Sequence, residues 1–316
     1  MEKLNNISLL RLVAVILIFT SHILLFVISS DISDKFFPFY FGVNIFLFIS
    51  AFLYSNKNID SAKTFYKKQF LKILVPPLIF VLFVFAVELI VCPQAFASID
   101  AYNPIANLWY IGAIFVCYLI IPVLSSLKNG NYKKLKIFAL IMVLILEFVL
   151  TIFLRLQFAI LTFVISYFIA GKMKTSKKSK VLPIIMGVVF LLATGLYFYF
   201  GYFVGANLTG ILFMLVESLK HFLCLVMGIF FSIFFLWAFE FLNKADAGKF
   251  FYYTDKYSFC FYIVQQSLMV GIFSVLNLTD IKLLNVFFVF LFSIIFSVVL
   301  QTLSDKVIYK IKEKKN

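Results

Sequence analysis

Ten apolar runs, each bounded by short polar segments, divide the chain. They lie near residues 7–30, 39–55, 71–92, 105–125, 135–154, 158–172, 181–202, 211–242, 257–277 and 283–305. A bilayer-spanning helix needs roughly 20 apolar residues, so each run is a candidate span. Apolar residues surround the runs on all sides instead of alternating, which predicts helices and not barrel strands. The eighth run is too long for one vertical helix, and its start is expected to be re-entrant or interfacial. The sixth is short. No internal repeat, heptad, linker or appended soluble domain stands out, so residues 1–316 read as one transmembrane domain.

The polar segments differ in charge. Those after the second, fourth, sixth and eighth runs carry lysine clusters (Lys63, Lys67, Lys68 and Lys72; Lys133, Lys134 and Lys136; Lys174, Lys177, Lys178 and Lys180; Lys244, Lys249 and Lys256), as does the tail. The intervening side holds Lys35 and Lys282, with Arg155 and Lys220 at span ends. The positive-inside rule then places both termini in the cytoplasm and favours an even number of spans, ten. The first run lacks a small-residue cleavage site and is long enough to span, so no cleavable signal is expected.

Composition agrees. Hydrophobic residues make up 64% and charged residues 13%, against about 25% charged in an ordinary globular domain; a soluble fold and disorder are both excluded. The net charge of +14 falls between spans, so topology explains it and nucleic acid is not an expected partner. The four cysteines lack C-x-x-C spacing, and only His22 and His221 are histidine; no metal site is expected.

Ionisable groups inside spans are costly and mark function by default. Arg11 and His22 are 11 residues apart, which leaves them about 20° from alignment on one helical face and about 16 Å apart along the axis. An imidazole can act as general base or nucleophile, and a guanidinium can hold phosphate or carboxylate. The alternatives are an Arg11 that snorkels to headgroups and a His22 that hydrogen-bonds between helices. Glu88, Glu147 and Glu217 are acids within runs. Glu147 has a depth similar to His22 and is a candidate to orient it; the alternative gives it another polar partner. Glu217 and His221 share a face near the outer surface. Lys68 and Lys72, four apart at the entrance to the third run, form a plausible phosphate site or serve topology alone.

Taken in order, several motifs resemble one family. Arg11-Leu-Val-Ala14 with Ser21-His22 is similar to the opening of acyltransferase family 3 membrane proteins. Gly42-Val43-Asn44-Ile45-Phe46-Leu47-Phe48-Ile49-Ser50-Ala51-Phe52 resembles that family's second-span motif. The segment Phe65 to Pro77, and Asn107-Leu108-Trp109-Tyr110-Ile111 with Tyr118-Leu119 and Pro122, resemble later blocks; Tyr167 to Gly171 and Tyr257 to Ile263 are weaker matches. Lys68, Gln69 and Lys72 stand where the family carries arginines, Ala51 replaces a glycine, and Gln265 a histidine.

The resemblance implies a bacterial cytoplasmic-membrane enzyme. It would transfer an acyl group, commonly acetyl, from acyl-CoA to a sugar hydroxyl of an extracytoplasmic polysaccharide or lipid-linked glycan. Acyl-CoA would be the donor substrate, with no permanently bound cofactor. His22 would be the catalytic base or acyl carrier, assisted by Arg11 and Glu147. Arg11, Lys68 and Lys72 would meet the donor phosphates, and Trp109 would line its channel. A glycan-lipid transporter is the rival class, but it predicts Gly/Pro-broken helices in matched halves, which the sequence lacks. A non-catalytic family member is the other alternative.

Overall fold

In a computed structural model the described residues are 4–28, 41–55, 57, 59, 61–91, 105, 108–127, 133–154, 158–175, 181–204, 208–244 and 248–313. Among them there is no strand, and an α-helix overlaps each apolar run. These are α1 (Asn5–Ile23), α2 (Phe41–Tyr54), α3 (Ala62–Val91), α4 (Trp109–Leu127), α5 (Lys133–Leu154), α6 (Ala159–Thr175), α7 (Val181–Tyr199), α8 (Gly210–Ala238), α9 (Gly248–Val264) and α10 (Lys282–Glu313). Short π-helical turns, Leu24–Ile28 and Phe200–Val204, extend α1 and α7.

Six segments are long and apolar enough to cross a membrane: Asn5–Val27, Ala62–Val91, Trp109–Leu127, Val181–Val204, Gly210–Ala238 and Lys282–Glu313. The apolar stretches Phe41–Tyr54, Leu140–Val149 and Ala159–Met173 are shorter. The chain is thus an all-helical, multi-pass membrane protein.

Helix α2 is the hub. Eleven of its 14 residues are buried, because α1, α6 and α8 pack around it. Two glycines make this possible. A Cβ at Gly42 would fall 2.9 Å from Ile18 Cγ1 and 3.0 Å from the Ala14 carbonyl oxygen, and one at Gly228 would collide with Asn44. In lipid, where no hydrophobic drive pulls helices together, such close approach is the main source of packing energy. Leu10, Ala14, Ile45, Phe48 and Ile229 fill one side of the hub; Ile18, Val43, Leu47, Tyr110 and Ile263 fill the other.

Side chains also fix how the ends align. Asn5 Nδ2 donates to the Leu242 carbonyl (2.9 Å) and Asn6 Nδ2 to that of Leu236 (2.9 Å), while the Asn6 N–H donates to Asn243 Oδ1 (3.1 Å). The start of α1 therefore satisfies a carbonyl in the last turn of α8 and bonds the short 3-10 turn, Glu240–Lys244, that follows it, and the two helices run antiparallel. Helices α1 and α9 run parallel: Arg11 pairs with Asp255, and further along Phe19 packs on Phe261 with ring centroids 5.8 Å apart. Helix α10 returns antiparallel to α9, with Lys256 Nζ 3.5 Å from Asp305 and Cys260 Sγ 3.2 Å from Gln301 Oε1. The start of α1 and the end of α10 consequently lie at one end of the bundle, the end that carries Lys72, Lys256 and Lys312.

Two runs differ from the pattern the sequence suggests. The eighth is one unbroken 29-residue helix, so of the two expected starts the re-entrant one is absent; at about 1.5 Å per residue the helix exceeds the roughly 30 Å that a span requires. The ninth is only half helical. Helix α9 begins earlier than expected, stops at Val264, and gives way to turns through residues 265–281. Here side chains compete with the backbone ladder. Ser267 Oγ donates to the Val264 carbonyl (2.8 Å), Ser274 Oγ to that of Met269 (2.9 Å), and Asn285 Nδ2 to those of Leu276 (2.6 Å) and Thr279 (2.7 Å). Gly271 adopts φ 84°, which few other residues tolerate. The first part of this irregular backbone, residues 265–269, is covered by protein, as non-helical backbone in a membrane protein requires: Leu268 and Met269 are buried against Val15 and Phe19.

Candidate active site

The site has two levels on the same face of α1. At the lysine-rich end, Arg11 Nη1 donates to Asp255 Oδ1 (2.5 Å) and Ser8 Oγ to Asp255 Oδ2 (2.7 Å). Both carboxylate oxygens are thus engaged from two successive turns of α1. Of the two anions a guanidinium can hold, Arg11 meets a carboxylate, that of Asp255 on α9. Asp255 escaped the sequence reading because nothing in the one-dimensional pattern says that the first and ninth runs are parallel neighbours.

A cavity of about 560 Å³ opens beside this pair, between α3, α9 and α10. Lys72 and Asp255 line it. Lys68 does not, but it belongs to the same cationic patch: partial burial, with Lys68 and Lys72 nearby, pushes the Lys57 ammonium below its ordinary value, and Lys57 Nζ rests 4.6 Å from the centroid of Tyr54.

Between the levels runs a series of tyrosines. The Tyr54 and Tyr118 hydroxyls are hydrogen-bonded, and Tyr118 also bonds Ser50. Tyr110 packs edge-on against Tyr262, centroids 5.4 Å apart. Tyr110 and Tyr118 both lie within the electrostatic reach of Arg11. Trp109 opens α4, 39% exposed and edge-on to Tyr110 at 6.3 Å; it does not line the cavity.

His22 forms the second level. It is 7% exposed, so the ring faces protein and not lipid. Phe26 lies beside it, 6.3 Å away between centroids. Nδ1 is buried and has no hydrogen-bond partner. Counting up α9 from Asp255 at the step that separates Arg11 from His22 leads to Gln266, so α9 breaks at the depth of His22. The break leaves Gln265 fully buried, with neither amide atom hydrogen-bonded. One turn below His22, α2 begins, with Gly42 against Ile18, and α4 begins, with Tyr110 against Tyr262. Two helix N-termini, each carrying partial positive charge, therefore end near this level. The cavity at the lysine-rich end does not reach His22.

Glu147 has a different place from the one considered for it. Its carboxylate accepts the N–H groups of Ile160 (2.5 Å) and Leu161 (2.7 Å), so it caps the first turn of α6 and satisfies orphan donors there. This is the alternative of another polar partner, here backbone. Glu217 pairs with Lys220 at 2.8 Å, and Lys220 also lies over Tyr197. Glu88 is buried with Oε2 unpartnered. No group of His, Cys, Asp and Glu suited to a metal occurs among the described residues.

A family model described as an acyltransferase domain, of the acyltransferase family 3 type, matches residues 4–302. No curated protein and no solved structure matches.

Proposed function

The chain belongs to acyltransferase family 3, and from that premise we propose that it moves an acyl group, most simply acetyl, from cytoplasmic acyl-CoA to a sugar hydroxyl of an extracytoplasmic glycan or glycan-lipid. In this reading all ten helices cross or enter a bacterial cytoplasmic membrane, and both termini are cytoplasmic. The lysine balance of the loops supports that orientation.

The observation that carries the reading is His22: a buried imidazole with Nδ1 unpartnered, one turn from two helix N-termini. A buried polar atom without a partner costs about 1–3 kcal/mol, a cost that a substrate hydrogen bond would relieve. The donor would enter at the lysine-rich end, with Lys72, and Lys68 behind it, drawing its phosphates. Its thin arm would pass Arg11 and the tyrosines to bring the thioester to His22. His22 then removes the proton of the acceptor hydroxyl, the oxygen attacks the thioester carbonyl, and the CoA thiolate leaves and takes up a proton. The ends of α2 and α4 favour the negative charge that develops on the carbonyl oxygen. Arg11 and Asp255 hold the entrance in shape, and Glu147 holds α6.

The test uses membranes containing the protein, labelled acetyl-CoA and glycan acceptor. Label should appear in the glycan and fall by about 10²–10⁴-fold in His22→Ala. Unchanged transfer by His22→Ala would remove His22 from the mechanism. Glycan flux that ignores acyl-CoA supply would favour a transporter.

A further inference from the structure

The cavity of about 560 Å³ at the lysine-rich end lies within the roughly 300–1,000 Å³ typical of small-ligand sites. Its walls carry three ammonium groups, Lys72 of α3, Lys256 of α9 and Lys312 of α10, and two carboxylates, Asp255 and Asp305. The carboxylates are already engaged. Asp255 is taken by Ser8 and Arg11, and Asp305 by Lys256 (3.5 Å) and by Gln301 Nε2 (2.9 Å). Lys72 and Lys312 make no ion pair among the described residues. Two uncommitted cations thus face one hollow from different helices. Two tyrosines, Tyr252 of α9 and Tyr309 of α10, complete the wall.

We infer that this cavity receives the nucleotide end of the donor, and that α10 supplies a large part of its recognition surface. The inference rests on the acyl-CoA reading above and adds residues to it. Lys72 and Lys312 hold phosphate oxygens as point charges, and Tyr252 and Tyr309 offer aromatic faces to the base. Gln301 and Asp305, bonded to each other, close the wall between the two tyrosines' helices. Arg11, through Asp255, stands at the inner margin of the cavity, about 16 Å along α1 from His22. A ligand anchored here therefore has its extended arm directed along the face that carries His22. A phosphate anion beside aromatic rings is also the chemistry of a lipid headgroup, but a cavity of this volume with two aromatic faces suits a nucleotide better.

The test is equilibrium binding of CoA to the full chain in phosphatidylcholine nanodiscs, with adenosine 3′,5′-bisphosphate as competitor. Wild type should bind CoA, and the bisphosphate should displace it. Lys72→Gln and Lys312→Gln should each weaken binding by about tenfold, the loss of one charge-assisted hydrogen bond. Tyr309→Ala should weaken the bisphosphate as well as CoA. Exposed Lys134→Gln, on a different helix, should match wild type. All four substitutions fall at exposed positions, so folding is expected to survive. CoA binding that is equally tight in Lys312→Gln and Lys72→Gln overturns this site while leaving acyl-CoA as donor. Failure of wild type to bind CoA at all overturns the donor reading with it. Nanodiscs containing phosphatidylglycerol separate the two phosphate sources: retention of that lipid by wild type and its loss in Lys72→Gln, with CoA binding unmoved, would make the cavity a headgroup site and overturn the inference.

Discussion

Arg11 and His22 sit on one face of one helix, yet their surroundings are opposite. Around Arg11, the Asp255 carboxylate is held at both oxygens by Ser8 and Arg11 itself. Around His22, the polar atoms go without: Nδ1 of the imidazole and both amide atoms of Gln265 are buried and unpartnered. Buried polar groups in folded proteins are nearly always paired, so the difference separates two kinds of residue. The saturated level resists deformation and positions what is bound near it. The unsaturated level keeps hydrogen-bonding capacity in reserve, which is what a transfer site between two substrates requires.

The largest effect that would sharpen this contrast is at Asp255. Asp255→Asn leaves Arg11 partly buried without its counter-charge. A fully buried pair broken this way costs about 3–5 kcal/mol; with both side chains at 20–27% exposure, solvent screening brings the expected loss to about 2 kcal/mol. Thermal unfolding in detergent should show it, with activity falling alongside stability. At the other level the two should come apart. Gln265→Leu removes unpaired buried groups at similar volume, so stability should rise by about 1 kcal/mol while turnover drops roughly tenfold, the worth of one charged-state hydrogen bond. A destabilised Gln265→Leu would mean that the amide is satisfied after all, and the contrast would fail.

Smaller still is Glu147→Gln. Loss of the capping charge at α6 should cost about 0.5–1 kcal/mol and leave the rate intact. A lost rate with unchanged stability would instead tie Glu147 to His22. The smallest effect concerns Lys57. Burial, then Lys68 and Lys72, lower its pKa, so the folded protein holds that proton less tightly than the unfolded chain does. The resulting cost to stability is complete below the folded pKa and vanishes above the ordinary lysine value. Lys68→Gln or Lys72→Gln should move the Lys57 titration upward, as read by the pH dependence of amine labelling. No movement would dissolve the cationic patch.

Much of this was legible in the sequence because lipid imposes simple rules. Apolar length located the helices, since every backbone group in hydrocarbon must be satisfied within its own segment. A spacing of 11 residues put Arg11 and His22 on one face, since helical period is fixed. What stayed hidden depended on which helices touch. Asp255 acquires meaning only once α9 lies parallel to α1. The carboxylate of Glu147 meets the N-terminus of α6, because an expected depth says nothing about direction. The end of α9 at Val264 falls inside a run that reads as one span from 257 to 277. The polar trio Gln265-Gln266-Ser267 was the available signal, and it weighs little in an average over twenty residues.

The clasp made by Asn5 and Asn6 has a consequence for biogenesis. The carbonyls they reach, at Leu236 and Leu242, are synthesised more than two hundred residues later, after six intervening helices have left the ribosome. Until then the first helix lacks these contacts, and its clasp to the eighth forms only when that helix arrives. A protein truncated before that point would carry every residue of the Arg11–His22 face and still lack the latch that seats it.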